Sequence, residues 1–355
     1  MDFNRRTFGV AAGALALAPL LARDLAAVAA APAVSADSLA RIDPELRAIA
    51  RQMLAAPGPS PLTLANLPAL RAGGAAYAPP RLPDVPVQER HIAGGRGMPE
   101  VTVYVVNADP ARRRPGILHM HGGGFIAGAA KWEIGYLQDL ARTLDCMIVT
   151  VEYRLAPEAS YRGSIEDNYT GLRWMHAQAA ELGLDPARIA VMGESAGGGH
   201  AALLALAARD RGEVPLVLQV LVYPMLDDRT GSSRTPPPFI GAVGWSAQSN
   251  QFGWRAFLGQ APGGASAPKG AVPARVEDLR GLPPAFIGVG GVDLFVDEDI
   301  AYAGRLIQAG VATELLVVPG AFHGFDRIAE KTSVASRFTR AKIDAIRRAF
   351  APVAA

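Results

Sequence analysis

The chain has 355 residues, of which 50% are hydrophobic and 19% charged, with a formal net charge of +2. This length allows a large buried core, and the composition excludes a disordered chain. The near balance of charge argues against a nucleic-acid-binding surface, so no nucleic-acid partner is expected. A single cysteine, Cys146, excludes an internal disulfide and a multi-cysteine metal site, and its apolar neighbours predict a buried thiol.

An arginine pair at positions 5–6 stands ahead of an alanine- and leucine-rich stretch at 9–22, and small residues at 34–36 offer a cleavage site. The arrangement resembles a twin-arginine export signal over residues 1–36 and predicts a periplasmic or exported protein. Two charged residues end the apolar stretch well short of a membrane span, and none is expected elsewhere. The alternative is an amphipathic N-terminal helix in a cytoplasmic protein.

Residues 37–86 begin with a helical pattern and then become rich in proline and glycine. The apolar positions are spaced three or four apart, at Leu39, Ile42, Leu46, Ile49 and Met53. The segment is predicted to form a small element that covers the rest of the domain.

Short apolar strands alternate with helices after Val87. Strands are predicted at 101–106, 116–119, 147–153, 188–192, 216–223, 285–289 and 313–318, and helices at 164–182, after Ser195 and through 300–308. Near-continuous apolar strands that alternate with helices specify a mostly parallel sheet covered on both faces.

The alternation stops between Met225 and Pro268. This stretch holds three consecutive prolines and the aromatic residues Phe239, Trp245, Phe252, Trp254 and Phe257. We predict an insertion that folds over the edge of the sheet together with the N-terminal helices.

Residues 193–197, Gly-Glu-Ser-Ala-Gly, follow a predicted strand and open a helix. Glycines two residues before and after Ser195 allow the sharp turn of a nucleophile elbow, which exposes the hydroxyl and aims a helix N-terminus at it. The pattern alone is weak, but at a strand-to-helix junction it predicts a nucleophilic serine.

A glycine run, His-Gly-Gly-Gly-Phe at 121–125, comes directly after another strand. Its backbone amides can approach a reacting carbonyl closely, so Gly123, Gly124 and Ala196 are the predicted oxyanion hole. The alternatives are a phosphate-binding loop and a plain tight turn, but neither a P-loop lysine nor a dinucleotide fingerprint accompanies the run to support the first. His121 is predicted to order the loop.

A serine nucleophile needs a base. His323 lies in a loop after the last predicted strand, at the sheet edge where parallel-sheet sites are found, and is the predicted base. The other histidines have structural explanations: His91 and His119 in strands, His121 in the glycine loop, His176 on a long helix and His200 behind the elbow.

The acid that orients the base should follow the preceding strand. Asp293 does so and gives the chain order Ser, Asp, His, which is the α/β-hydrolase order. The alternatives are Asp297, which is the foremost of them, Glu298 and Asp299, but they fall in the first turn of the next helix, where carboxylates commonly complement the helix dipole.

Five motifs now stand in one order: His-Gly-Gly-Gly at 121–124, Tyr-Arg-Leu-Ala-Pro-Glu at 153–158, the elbow at 193–197, the acidic stretch at 293–298 and His-Gly-Phe at 323–325. Together they resemble the hormone-sensitive lipase family of α/β-hydrolase esterases, over roughly Val87 to the C-terminus.

The resemblance implies an α/β-hydrolase fold, a mostly parallel central sheet flanked by helices with a small helical cap. The chain is accordingly divided into an export signal at 1–36, N-terminal cap helices at 37–86, a catalytic core at 87–224 and 269–355, and a cap insertion at 225–268. It also implies that neither a cofactor nor a metal is needed, in line with the lack of a ligand motif such as HExxH.

Two positions depart from the family pattern. Glu194 stands in the elbow where the family usually has Asp or Thr, and residues 292–299 lack the usual proline and final glycine of the acid's loop. Glu194 is expected to be a buried structural carboxylate whose partner the sequence does not name. Arg154 and Glu158 are expected to be structural as well.

The predicted function is a serine carboxylesterase acting on short- to medium-chain esters, with a small-molecule ester as its partner. Phe125, Trp245, Phe252 and Trp254 are predicted to line the substrate pocket; the alternative for the cap aromatics is that they pack the cap's own core. An amidase, lactonase or acyltransferase would use the same triad. A non-catalytic binder on this fold is disfavoured because His323 is present. The sequence is compatible with a homodimer.

Overall fold

The computed structural model of the protein describes residues 36–55, 61–95 and 97–351. Apart from residue 36, the export signal predicted at 1–36 lies outside them. Within the described part of the chain, no helix combines the length and the apolar character needed to cross a bilayer.

One eight-stranded sheet forms the centre of the domain. Its strands are β1 Val87–Ile92, β2 Val101–Val106, β3 Arg114–Met120, β4 Met147–Glu152, β5 Leu184–Glu194, β6 Leu218–Val222, β7 Ala285–Gly290 and β8 Thr313–Val318. They lie in the order β1-β2-β4-β3-β5-β6-β7-β8. β2 pairs antiparallel with β1 and β4, and all the other pairs are parallel. The predicted mostly parallel sheet is confirmed, and its carboxyl ends share one edge.

The burial of each strand explains which residue types it contains. β3, β6 and β7 are buried along their whole length, as expected for strands covered on both faces, and they are correspondingly apolar. β1 is an edge strand with four exposed residues, Gln88, Glu89, Arg90 and His91. Polar and charged side chains on such an edge disfavour pairing with another chain.

Helices cover both faces of the sheet. Their bounds are α1 Ala36–Ala40, α2 Arg47–Ala55, α3 Leu67–Gly73, α4 Ile134–Leu144, α5 Tyr161–Ala177, α6 Ala179–Leu182, α7 Ala196–Arg211, α8 Ala247–Leu258, α9 Val296–Gln308, α10 Phe325–Ile328 and α11 Ser333–Phe350. Short 3₁₀ helices occupy Gly74–Tyr77, Ala130–Trp132 and Pro273–Arg275.

Three differences from the predicted elements have physical reasons. The N-terminal helical pattern is interrupted between α1 and α2, because Pro44 lacks an amide proton and disfavours helical backbone at the residue before it. The helix predicted at 164–182 begins at Tyr161 and breaks at Gln178, which leaves helical geometry. α11 was not predicted, although its buried residues Val334, Phe338 and Ile346 follow a helical spacing.

The insertion predicted at 225–268 contains one helix, α8. Ser246 caps it by accepting a hydrogen bond from the Ser249 amide at 3.2 Å, and Gly259 ends it in the left-handed conformation. The thiol of Cys146, directly before β4, is fully buried, as predicted.

Candidate active site

Ser195 stands between β5 and α7 with φ +58° and ψ −121°, a backbone conformation that non-glycine residues rarely adopt. A Cβ on Gly193 would lie 2.2 Å from the Gly197 carbonyl oxygen, and a Cβ on Gly197 would lie 2.0 Å from the Met120 oxygen. Both flanking positions therefore exclude any side chain. This close packing of backbone is what the predicted nucleophile elbow requires.

The three predicted catalytic residues meet at the carboxyl edge of the sheet. His323 Nε2 lies 3.0 Å from Ser195 Oγ, and His323 Nδ1 lies 2.8 Å from Asp293 Oδ2. The second oxygen of Asp293 accepts a hydrogen bond from the Phe295 amide at 3.0 Å. This is the geometry in which a carboxylate orients an imidazole toward a serine hydroxyl.

Aromatic rings and backbone enclose His323. The rings of Tyr223 and Phe295 lie edge-on to the imidazole, with centroids at 4.7 and 5.2 Å. Gly244, from the insertion, lies so near that a Cβ there would be 2.9 Å from the His323 carbonyl oxygen. Asp297, the alternative acid, is exposed in the first turn of α9, whereas Asp293 is fully buried.

The glycine loop passes beside the nucleophile. A Cβ on Gly122 would lie 3.5 Å from the Ser195 Cβ, and Gly123 and Gly124 both have positive φ values, of 124° and 61°. In the described part of the chain, no protein acceptor is hydrogen-bonded to the backbone amides of Gly123, Gly124 or Ala196. These donors are thus available to a ligand at the serine.

His121 contacts this loop and orders it. Its Nδ1 lies 2.8 Å from the Gly122 oxygen, its ring stacks on Tyr153 with centroids 4.2 Å apart, and the Tyr153 hydroxyl donates to the His121 carbonyl at 2.7 Å. Burial lowers the pKa of His121 to about 4, so the ring is neutral near pH 7. A neutral, packed ring fits the ordering role predicted for it.

Trp245 lies against the glycine loop. A Cβ on Gly124 would be 2.4 Å from the Trp245 ring, and the indole Nε1 donates to Asn250 Oδ1 at 3.2 Å. The side chain is only partly buried. The position of Trp245 suits a pocket wall, and that role stays a prediction.

The other three predicted pocket residues lie in the interior. Phe125 stacks on Phe257 at a centroid distance of 4.0 Å and contacts Trp254 edge-on at 5.0 Å. Trp254 exposes none of its surface, and Phe125 and Phe252 expose 1% and 6%. Trp254 therefore packs the core of this region instead of lining an open pocket, because it has no surface free to meet a ligand.

Glu194, beside the nucleophile, is buried with partners that the sequence did not name. His119 Nε2 lies 2.9 Å from its Oε2, and the Tyr136 hydroxyl donates to Oε1 at 3.4 Å. Burial alone would raise the pKa of Glu194, but His119, Lys342 and Arg327 outweigh it and lower the pKa to about 2. The carboxylate is therefore charged near pH 7.

The motif at 153–158 has the structural role expected of it. Arg154 forms hydrogen bonds to both carboxylate oxygens of buried Asp167, at 2.7 and 2.8 Å. Glu158 pairs with Arg71 of α3. Within residues 36–55, 61–95 and 97–351, no group of three or more His, Cys, Asp and Glu side chains is arranged to hold a metal ion.

The sheet order and the Ser–Asp–His chain order define the protein as an α/β-hydrolase. The sequence profile of a family described as having an alpha/beta hydrolase fold matches residues 117–327. The chain belongs to the hormone-sensitive lipase family of α/β-hydrolase ester hydrolases, which confirms the resemblance seen in its motifs.

Individual relatives agree with this placement. Carboxylesterase NlhH of Mycobacterium tuberculosis is 35% identical over 284 residues, 76% of this chain and 85% of the relative. The ethyl acetate hydrolase of Pseudomonas putida is 34% identical over 227 residues, 62% of this chain and 69% of the relative. The solved structure of a bacterial heroin esterase is 37% identical, with a TM-score of 0.79, and covers 89% of this chain and 100% of its own.

Proposed function

We propose that the protein is a serine carboxylesterase that hydrolyses short- to medium-chain carboxylic esters through an acyl-enzyme on Ser195. The observation that carries the proposal is the placement of His323 between the Ser195 hydroxyl and the Asp293 carboxylate, at 3.0 and 2.8 Å. The relatives reported above, all named as ester hydrolases, support the same reaction class.

In the first half-reaction, Ser195 Oγ attacks the ester carbonyl carbon while His323 Nε2 takes the hydroxyl proton. Asp293 stabilises the imidazolium, and the amides of Gly123, Gly124 and Ala196 stabilise the oxyanion of the tetrahedral intermediate. His323 then returns its proton to the leaving alkoxide, so an alcohol departs and the acyl group stays on the serine.

Water completes the second half-reaction. His323 removes a proton from a water molecule as its oxygen attacks the acyl carbon, and a second tetrahedral intermediate forms at the same amides. Collapse of this intermediate expels Ser195 Oγ, which regains the proton from His323. The products are the carboxylic acid and the free enzyme.

A panel of p-nitrophenyl esters from acetate to palmitate tests the proposal, with Ser195→Ala as the matched variant. We expect turnover to be highest on short acyl chains, and Ser195→Ala to lower kcat by about four or more orders of magnitude because triad members act as a unit. Near-wild-type turnover by Ser195→Ala would contradict the mechanism. Preferential transfer of the acyl group to alcohols or amines instead of water would point to an acyltransferase or amidase.

Trp245 is proposed as a wall of the substrate pocket, because its ring covers Gly124 and remains partly exposed. Trp245→Ala should shift the preferred acyl-chain length, since fitting or losing a methylene changes binding by roughly 1–3 kcal/mol. Trp254→Ala is the matched control: its ring is fully buried, so it should lower the melting temperature and leave the chain-length profile unchanged. An unmoved profile in Trp245→Ala would remove it from the pocket.

Export through the twin-arginine route is a separate proposal, supported by the arginine pair and the apolar stretch that follows it. Cell fractionation of the wild type and of an Arg5→Lys, Arg6→Lys variant tests it. Equal distribution of the two proteins would contradict it.

A further inference from the structure

Arg71, on α3, reaches the segment that follows the glycine run at 121–125 and the loop that follows β4. Its Nε donates to the Ile126 carbonyl at 2.7 Å, and one Nη donates to the Ala156 carbonyl at 3.0 Å. Both Nη groups also donate to the two carboxylate oxygens of Glu158, each at 2.8 Å. One guanidinium thus binds two backbone carbonyls and one carboxylate, a pattern that its planar, five-donor geometry allows.

The two carbonyls belong to a closed ring of hydrogen bonds. The Ala156 amide donates to the Phe125 carbonyl at 3.0 Å, and Arg71 donates to the next carbonyl, that of Ile126. The bond from Arg71 to the Ala156 carbonyl closes the ring. The Ile126 amide donates to the Gly123 carbonyl at 3.1 Å. The bond from Arg71 therefore fixes the far end of the turn that presents Gly123 and Gly124.

A second contact joins the same segment to the same loop. The 3₁₀ helix after α3 lies against Trp132, which follows the oxyanion loop, so closely that a Cβ on Gly74 would be 2.4 Å from the indole ring. The segment from Leu67 to Gly74 thus contacts the oxyanion loop and its continuation at two points, through Arg71 and through Gly74.

We propose that Arg71 is a positioning residue for the oxyanion hole, a role that rests on the esterase activity proposed above. It acts through the Ile126 and Ala156 carbonyls, which keep the amides of Gly123 and Gly124 aligned with the oxyanion. Misplacing such groups by about 1 Å can cost about a hundredfold in rate. Because the hole is complementary to the transition state, the loss should appear in kcat and not in KM.

The test compares the full chain with Arg71→Ala, Arg71→Lys and Glu158→Gln. The matched control is Arg280→Ala, which removes an exposed arginine paired bidentately with Asp278 before the amino end of β7. Turnover is measured with p-nitrophenyl butyrate. Affinity for the oxyanion site is measured with a trifluoromethyl ketone, which adds reversibly to a serine and forms an oxyanion.

We expect Arg71→Ala to lower kcat by about tenfold to a hundredfold, with KM changed by less than about threefold and ketone affinity falling in parallel with kcat/KM. Arg71→Lys should show a smaller loss of the same kind, because an ammonium cannot reach all these acceptors together. Glu158→Gln should cost less than about threefold, because Glu158 is 62% exposed and the carbonyl bonds remain. Arg280→Ala should match the wild type.

Ketone affinity and kcat within about twofold of the wild type in folded Arg71→Ala would overturn the role. If that variant does not fold, the same outcome in Arg71→Lys overturns it. A loss in Glu158→Gln as large as that in Arg71→Ala would also overturn it, because the ion pair would then carry the effect. Absence of hydrolysis by the wild-type protein would instead reject the proposed esterase function.

Discussion

Two buried acidic regions lie near Ser195 and Asp293, and the pKa values of their carboxyls are shifted in opposite directions. Glu194 directly precedes the serine in the elbow and is 6% exposed. Asp299 lies behind the acid loop, in the first turn of α9, and is fully buried. The two carboxyls share burial but differ in what surrounds them.

Cationic groups and donors surround Glu194. Beyond His119 and Tyr136, the ammonium of Lys342 donates to the Tyr136 hydroxyl at 3.0 Å and lies 3.6 Å from Asp326, which accepts a hydrogen bond from Tyr223 at 2.8 Å. Lys342 is 1% exposed. The region therefore holds two carboxylates with a buried cation between them, and this network reaches the ring of Tyr223 that packs on His323.

Among the residues that the structure describes, no cation is found to act on Asp299. Among the described residues, neither of its carboxyl oxygens has a hydrogen-bond partner, and the charged groups that act on it are Glu298 and Asp293. Burial, followed by these two carboxylates, raises the pKa of Asp299 well above its ordinary value of 3.8. Glu298 accepts hydrogen bonds from the Leu226 and Asp227 amides, yet burial raises its pKa as well.

The difference teaches that burial alone does not set the charge of an acid in this fold. His119, followed by Lys342 and Arg327, keeps Glu194 ionised, whereas burial and two neighbouring carboxyls favour the neutral form of Asp299. Asp293, between these regions, has a histidine partner and resembles Glu194 in this respect. The charge of each carboxyl can be tested by replacing the acid with its neutral amide.

Asp293→Asn should have the largest effect. The amide cannot hold the tautomer of His323 or stabilise its imidazolium, so kcat should fall by between about a hundredfold and ten thousandfold. Asp297→Asn, at an exposed site in the first turn of α9, is the control and should lose far less. Steady-state kinetics on one p-nitrophenyl ester decides this, and the reverse ranking would make Asp297 the acid.

Lys342→Met should cause the next largest effect. Removing the ammonium leaves Glu194 and Asp326 buried without its compensation, which typically destabilises a protein by about 3–5 kcal/mol. Arg340→Met, at an exposed site of the same helix, should change the free energy of unfolding little. Urea unfolding at pH 7 measures both. Equal stabilities would mean that the cation does not sustain the buried charges.

Glu194→Gln should be milder, because the amide can still hydrogen-bond to His119. We expect a loss of about 2 kcal/mol at pH 7. The pKa of Glu194 is depressed from 4.5 to about 2, so the wild type's advantage is complete above pH 4.5 and is lost as the pH falls toward 2. Unfolding measured across this range checks the sign, and an advantage that grows toward low pH would contradict the charged state.

Asp299→Asn should give the smallest change and the opposite sign. Because the pKa of Asp299 is raised on folding, ionisation penalises the wild-type fold increasingly as the pH rises above 3.8. The amide avoids this penalty, so Asp299→Asn should be more stable than the wild type near neutral pH and equally stable below pH 3.8. Unfolding of Asp299→Asn beside Asp297→Asn provides the measurement. A stabilisation independent of pH would point to packing instead.

The sequence could predict which three residues meet at the edge of the sheet, because each has a local signature. Ser195, Asp293 and His323 each follow an apolar strand, and parallel strands bring their carboxyl ends to one edge. The strands were predictable for the same reason: β2 and β8 have the predicted bounds, and other strands differ at their ends by a few residues.

Long-range partners were not predictable. The partners of Glu194 lie 75 and 58 residues away in sequence, at His119 and Tyr136, and nothing local pairs them. The same holds for Arg71, 55 residues before Ile126. The sequence left the role of Trp254 open, because an aromatic residue in an insertion has the same local pattern whether it packs inward or lines a cleft. α11 is a different case, because the helical spacing of its apolar residues could have predicted it from the sequence.

The backbone of Ser195 has a consequence for how the protein gains activity as it folds. A non-glycine residue at φ +58° is disfavoured by about 1–3 kcal/mol, so the surrounding structure must impose this conformation. The amide of Ser195 donates to the Val222 carbonyl, and its carbonyl accepts from the Met225 amide, so β6 is needed to hold it. His323 is a further 128 residues along the chain from the serine. In refolding, hydrolytic activity should therefore return only after the β5–β8 half of the sheet has assembled, later than most helical signal.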